Sequence, residues 1–345
     1  MLRLLFRLLA LLQLTRAALA FTAIADAWAI LLLRPPGGGG WRAESEPMIV
    51  TAGKMAVTGV VSFGLYAFGM ALNDLLDARR DRIFAPRRPI PSGRIPARFA
   101  IVICLALLIL ALLAAAFLTP FHIMTIPSPH TVDFVPWPLL FAAVTAALIV
   151  FYDATSKYLG GVGLLTLGAI RALHCLVGNP HTPILFLSMF LLTHVVIVST
   201  LGYKLENKRP RLKPRDYAII ILGLLVGNAL ALLYMYLRHA LTPANLPMLL
   251  GPAIAALVYA AWVARILTRK NLAPRQKGER VVLLGLFWLF CYDASILLAN
   301  HQSLAFLAIT LLLLCAIASF FTLRLLSRSL AARQTHTYRP DHGPR

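Results

Sequence analysis

The chain alternates between long apolar runs and short polar connections. Runs of about the 17–25 residues that cross a bilayer, with a few slightly shorter, recur near 17–33, 49–72, 98–119, 137–152, 160–178, 182–203, 217–238, 248–267, 281–299 and 304–324. They predict an all-α fold, a polytopic membrane helical bundle of nine to ten transmembrane helices around a central cavity. The fourth run is the shortest and leaves the count between nine and ten.

The connections alternate in charge. Residues 79–98 hold Arg79, Arg80, Arg82, Arg87, Arg88, Arg94 and Arg98, and 204–215 hold Lys204, Lys208, Arg209, Arg211, Lys213 and Arg215. Residues 265–280 are equally basic, whereas 120–136, 179–183 and 299–303 have no Lys or Arg. Because cytoplasmic loops carry the Lys/Arg excess, both termini are expected in the cytoplasm, together with the connection that follows the second run. Arg34 and Arg42 run against this rule. The Pro-Gly run at 35–40 reads as a flexible external loop.

Composition agrees. Of 345 residues, 59% are hydrophobic and 13% charged, with mean hydropathy +0.78; soluble domains are about 45–50% apolar and about 25% charged. The net charge of +20 does not imply nucleic acid, since the arginines lie between apolar stretches and no soluble basic domain carries them. Cys104, Cys175, Cys291 and Cys315 fall inside apolar runs and read as small core residues. Residues 1–16, with Arg3 and Arg7 on one helical face, read as an amphipathic segment on the membrane surface. The membrane domain then spans 17–326, and 327–345 reads as a disordered basic tail.

Candidate chemistry concentrates where the second run ends, at Asn73-Asp74-Leu75-Leu76-Asp77-Ala78-Arg79-Arg80-Asp81. Asn73, Asp77 and Asp81 are spaced i, i+4, i+8 and stack on one helical face, with Asp74 beside them. Such carboxylates repel one another unless a cation sits among them. Oxygen ligands alone suit Mg²⁺, which takes one or two carboxylates and completes its shell with water and substrate phosphates. The neighbouring Arg87 and Arg88 suit phosphate oxygens. The stretch reads as a Mg²⁺-dependent diphosphate site at a membrane surface.

Other polar residues sit at run ends or inside runs. Tyr152 and Lys157 close the fourth run on the same face as Asp77; Lys157 can meet a diphosphate and the Tyr152 ring a developing cation, although both types also anchor helix ends. Arg171 lies inside the fifth run at a commonly quoted cost of about 2.5–3.5 kcal/mol, and so requires an anion, either a ligand or a partner such as Asp153. Asp26 interrupts the first run and is a candidate for the substrate cavity; Asp293 interrupts the ninth. Glu206 and Asn207 follow the sixth run and can offer oxygens to a second metal. The histidines show no clustered ligand spacing, so no zinc site is assigned.

At Asn73–Ile95 the sequence resembles the UbiA superfamily of intramembrane prenyltransferases. The family pattern is N-D-x-x-D-x-x-x-D followed by R-P-x-P-S-G; here it is Asn73, Asp74, Asp77 and Asp81, then Arg88-Pro89-Ile90-Pro91-Ser92-Gly93. Tyr152 and Lys157 resemble the family's tyrosine–lysine element with one extra residue between them. The second aspartate-rich motif usual after the sixth helix is replaced by Glu206 and Asn207. Asp26 and Arg171-Ala172-Leu173 are similar to the EboC-like branch. The resemblance implies a UbiA-like bundle in which Asn73, Asp74, Asp77, Asp81 and Glu206 hold Mg²⁺. Arg87, Arg88, Lys157, Arg171 and Asp26 contact substrate, and Asp77, Tyr152 and Lys157 act in transfer of a prenyl group from an isoprenoid diphosphate to an unidentified aromatic, small-molecule or lipid acceptor. A non-enzymatic membrane carrier or assembly factor with a degenerate site is the alternative. A CDP-alcohol phosphotransferase is disfavoured, since its D-G-x-x-A-R glycine is absent beside Asp74 and Asp77. The expected setting is the lipid bilayer of a bacterial inner membrane.

Overall fold

The computed structural model describes residues 10–33, 48–86, 88–123, 135–208 and 210–337. Eleven helices follow in order: α1 Ala17–Leu32, α2 Met48–Leu76, α3 Ala78–Phe84, α4 Ala97–Ile123, α5 Trp137–Ala154, α6 Gly161–Cys175, α7 Phe186–Leu205, α8 Pro214–Leu237, α9 Pro247–Thr268, α10 Pro274–Ala299 and α11 Ser303–Thr337. Among the described residues no strand occurs. Eight of the helices are long and apolar enough to cross a membrane, and α1 and α6 are shorter apolar helices. Backbone groups in hydrocarbon must be satisfied within the segment, and helices do this.

The packing gives a ring with buttresses. α1 packs on α2, α2 on α5, α5 on α6, α6 on α7, α7 on α10, and α10 back on α1. Outside it, α4 lies against α2 and α5, α8 against α6 and α7, α9 against α10 and α7, and α11 against α1 and α10. The outer helices show lipid their leucines: Leu113 on α4, Leu222 and Leu225 on α8, Leu257 on α9 and Leu311 on α11 are all more than half exposed. Lipid is as apolar as leucine, so close packing joins the helices instead, through small residues. The α2–α4 contact is the most extensive, and there a Cβ on Gly64 would lie 2.9 Å from the Cβ of Ala111. Polar side chains inside the ring pair across helices. Trp28 Nε1–H donates to the Met55 carbonyl at 2.8 Å. His194 Nε2 lies 3.0 Å from the Gly285 carbonyl and must donate to it, so its Nδ1 accepts from the Tyr292 hydroxyl at 2.8 Å. His194 is thus a core histidine.

Two expectations change. Cys315 is exposed, because it falls on the outer side of α11; Cys104 and Cys175 are buried as expected. α11 runs to Thr337, beyond the end read near 324. Residues 10–14 of the N-terminal segment are helical, with Ala10 and Leu14 fully buried against α2 and α4. The 35–40 loop, Arg34 and Arg42 lie outside the described residues.

Candidate active site

The acidic stretch sits on a helix that bends without breaking its hydrogen bonds. α2 ends at Leu76 and α3 begins at Ala78, with Asp77 between them at φ −83° and ψ −1°. The Asp77 N–H still donates to Asn73 O at 2.9 Å, and the Asp81 N–H to Asp77 O at 2.8 Å. The i, i+4, i+8 stacking therefore survives. Asn73 lies close beside the Asp74 carboxylate and favours its charged form.

The Arg-Pro-Ile-Pro-Ser-Gly turn folds back over the stack. The Arg88 N–H donates to Ala85 O, the Ser92 N–H to Arg88 O, and Gly93 closes the turn at φ 73°, a conformation that suits glycine. This aims Arg88 Nη1 at two carboxylates, Asp81 Oδ2 at 2.5 Å and Asp74 Oδ1 at 3.3 Å. Arg16, where the N-terminal segment turns with φ 45°, reaches Asp74 at 3.8 Å. Arg87 lies outside the described residues.

A second segment meets the stack from 80 residues away. After α5 a single 3-10 turn, Ser156–Tyr158, carries Lys157 inward. Its Nζ donates to Asp77 Oδ1 at 2.9 Å and lies 3.9 Å from Asp153 Oδ1. Tyr152, one turn earlier, is within electrostatic reach of Asp77 and of Tyr203 on α7. The next turn is fixed by Gly160 at φ 56°, where a Cβ would lie 2.6 Å from Asp216 Oδ1. Asp216 itself caps two helices, accepting the N–H groups of Lys213 at 2.7 Å and Gly161 at 3.2 Å. This aspartate beyond the end of α7 is committed to backbone. Glu206 ends α7, pairs with Lys208 at 3.0 Å and lies against Gly278 of α10.

Asp26 and Arg171 form a separate deep pair. α1 and α6 bring them into a direct ion pair, with Asp26 fully buried. Asp293 of α10, also fully buried, lies within electrostatic reach of Asp26, and His174 lies one turn from Arg171. Arg171 thus takes Asp26 as its anion, while Asp153 faces Lys157. Tyr66 on α2 lies within electrostatic reach of both Arg16 and Arg171, between the two groups. Sequence reasoning missed Arg16, Tyr66 and the duty of Asp153. The spacing of Tyr66, Asn73 and Asp77, which share a helical face, was the signal available for the tyrosine.

Among the described residues, no group of three or more His, Cys, Asp and Glu side chains is arranged to hold a metal ion. The motif carboxylates instead spread to meet Arg16, Arg88 and Lys157. Their donor chemistry fits Mg²⁺ all the same: carboxylate and amide oxygens at the rim of a bundle, where one or two carboxylates and a substrate phosphate suffice.

No family model matches the chain. A curated relative, the digeranylgeranylglyceryl phosphate synthase of Methanococcus maripaludis, is 40% identical over 63 residues, a match spanning 18% of this chain and 23% of that protein. A solved structure of a digeranylgeranylglyceryl phosphate synthase in membranes superposes with TM-score 0.54 at 19% identity, covering 85% of this chain and 98% of that one. A UbiA homolog from Archaeoglobus fulgidus, bound to GPP and Mg²⁺, gives TM-score 0.43 at 13% identity over 90% of this chain and 98% of that one. The chain has the fold of the UbiA-type membrane prenyltransferases.

Proposed function

We propose that the protein is a Mg²⁺-dependent prenyltransferase that takes its prenyl group from an isoprenoid diphosphate at the Asn73–Asp81 stack. The observation that carries this reading is the Lys157–Asp77 bond at 2.9 Å, which joins the two polar segments of the chain into one site. The solved digeranylgeranylglyceryl phosphate synthase with the same fold supports it.

Asp77 and Asp81, with Asn73 and Asp74 beside them, hold Mg²⁺ when the diphosphate is present. Bound there, the ion offsets negative charge that develops on the leaving diphosphate. Lys157 and Arg88 exchange their carboxylate partners for phosphate oxygens and stabilise the same charge from the protein side. Both cations already point at the site, so little reorganisation is required. Tyr152 turns its ring toward the allylic cation. The ring of apolar helices receives the tail and keeps water from the cation. Arg171 and Asp26 sit deeper and contact the acceptor side. Glu206, tied to Lys208, joins a second metal only if that pair opens. We assign the stack and both termini to the cytoplasmic face of a bacterial inner membrane, on the positive charge of the connections there.

The test is Mg²⁺-dependent binding and turnover of isoprenoid diphosphates of several lengths by the purified protein, with Asp77→Ala as control. Diphosphate release that disappears in the variant is expected. Absence of binding at every length overturns the proposal and favours a carrier.

A further inference from the structure

One cleft lies away from the acidic stack. It occupies about 680 Å³ between α6, α7, α8 and the start of α5, within the range of roughly 300–1,000 Å³ that small-molecule sites occupy. Leu165, Ala169, Leu192 and Leu230 make most of its wall apolar. Gly223 and Gly227 floor it on α8; a Cβ at either would lie under 3 Å from Leu165 or Leu192. Along α6 the lining runs from Leu165 to Leu176, about 16 Å at the helical rise.

One end of this cleft is polar. Trp137 begins α5, Arg238 follows α8, and His181 and Thr182 belong to the link between α6 and α7. All four therefore lie on the face opposite Asp77. That link is well built: Asn179 and Thr182 are buried, the His181 N–H donates to Asn179 Oδ1 at 3.2 Å, and the Tyr234 hydroxyl donates to Thr182 O at 3.3 Å. The Trp137 ring meets His181 edge-on at 6.2 Å. Among the described residues no acidic side chain lines the cleft. Burial and the charge of Arg238 together hold His181 below the usual histidine range.

The placement of Arg238 is informative. In the described connections on this face, residues 135–136, 176–185, 238–246 and 300–302, it is the one Lys or Arg. It is not part of the basic belt that the opposite face carries, and among the described lining residues its charge meets no carboxylate. We propose that this cleft binds one amphiphile with an anionic phosphate head, seated at Arg238 and His181, and a hydrocarbon chain lying along α6 and α8. The same chemistry is offered by a bilayer phospholipid and by a single-chain phosphate ester. Basic pockets between membrane helices bind phosphate head groups by this means.

The test is native mass spectrometry of the full chain, released from detergent and titrated in EDTA with phosphatidylglycerol, phosphatidylcholine or dodecyl phosphate. EDTA keeps the acidic stack from taking a phosphate through a metal. One equivalent of phosphatidylglycerol or dodecyl phosphate is expected to bind, at least tenfold tighter than phosphatidylcholine, and the tighter of the two identifies the source. Arg238→Gln and Ala231→Trp, which remove the charge and fill the cleft, should each weaken binding tenfold or more. Arg238→Lys should keep most of it and serves as the control for folding. Equal binding of phosphatidylcholine, or retention within twofold in both weakened variants, overturns the proposal.

Discussion

Lys157 serves two carboxylates from one stem, and its side chain is only 9% exposed. Replacing it with methionine removes the cation and leaves Asp77 and Asp153 partly buried without it. Stability should fall by about 1–3 kcal/mol, and binding of an isoprenoid diphosphate should fall at least tenfold. Thermal unfolding beside a binding titration checks both; unchanged binding removes Lys157 from the site. The deep pair makes a sharper case. Arg171 faces Asp26, and Asp26 faces Asp293, all inside the ring. Arg171→Met should cost about 3–5 kcal/mol, because it strands buried carboxylates. Adding Asp26→Asn should recover part of that loss, since residues in one network couple by about 0.5–3 kcal/mol. Strict additivity in a double-mutant cycle would show that the two side chains do not support each other in the folded protein.

Helices set what these residues can reach. Asp216 caps α8 through Lys213 and also holds the Gly161 N–H at the start of α6. Asp216→Ala should therefore loosen two helix starts and lower stability by about 0.5–2 kcal/mol, read as a fall in the unfolding midpoint; the same midpoint would deny the cap its role. The chain's helices were legible because hydrocarbon thickness fixes their length: the ten runs read from hydropathy match the eight long helices and the shorter α1 and α6, several to within one or two residues at the start, as at Ala17, Met48 and Ala97. The stack at Asn73, Asp77 and Asp81 was equally legible, since its spacing is a property of one helix. What was not legible is which helices meet. Nothing in the local sequence brings Lys157 to Asp77 or Asp26 to Arg171, because those contacts depend on the order of α1, α2, α5 and α6 around the ring. Arg16 was missed for the same reason. Its reach to Asp74 depends on a left-handed backbone at a non-glycine residue, which no propensity favours.

The whole molecule is asymmetric across the bundle. The connections that join α2 to α4, α7 to α8 and α9 to α10 carry the arginines and lysines, and the acidic stack lies among them. Among the described residues, the connections at the other end carry Arg238 alone; in the sequence Arg34 and Arg42 run against the pattern. A diphosphate approaching the stack therefore meets a positive rim, which raises its local concentration in a salt-dependent way. The same asymmetry is the ground for the proposed orientation, because basic loops stay on the cytoplasmic side. This can be read directly. With Cys104, Cys175, Cys291 and Cys315 replaced, a single cysteine at Ser92 lies in the basic connection, and one at His301 lies in the opposite one; both positions are exposed. In sealed cells an impermeant maleimide should label His301→Cys at once and Ser92→Cys only after the membrane is opened. Labelling of Ser92→Cys first would invert the molecule and place the stack outside the cell. Seven apolar helices, α4 to α10, separate the two positions, so alternate crossings put them on opposite sides; labelling of both from one side would mean that a helix between them does not span, and the ring itself would need redrawing.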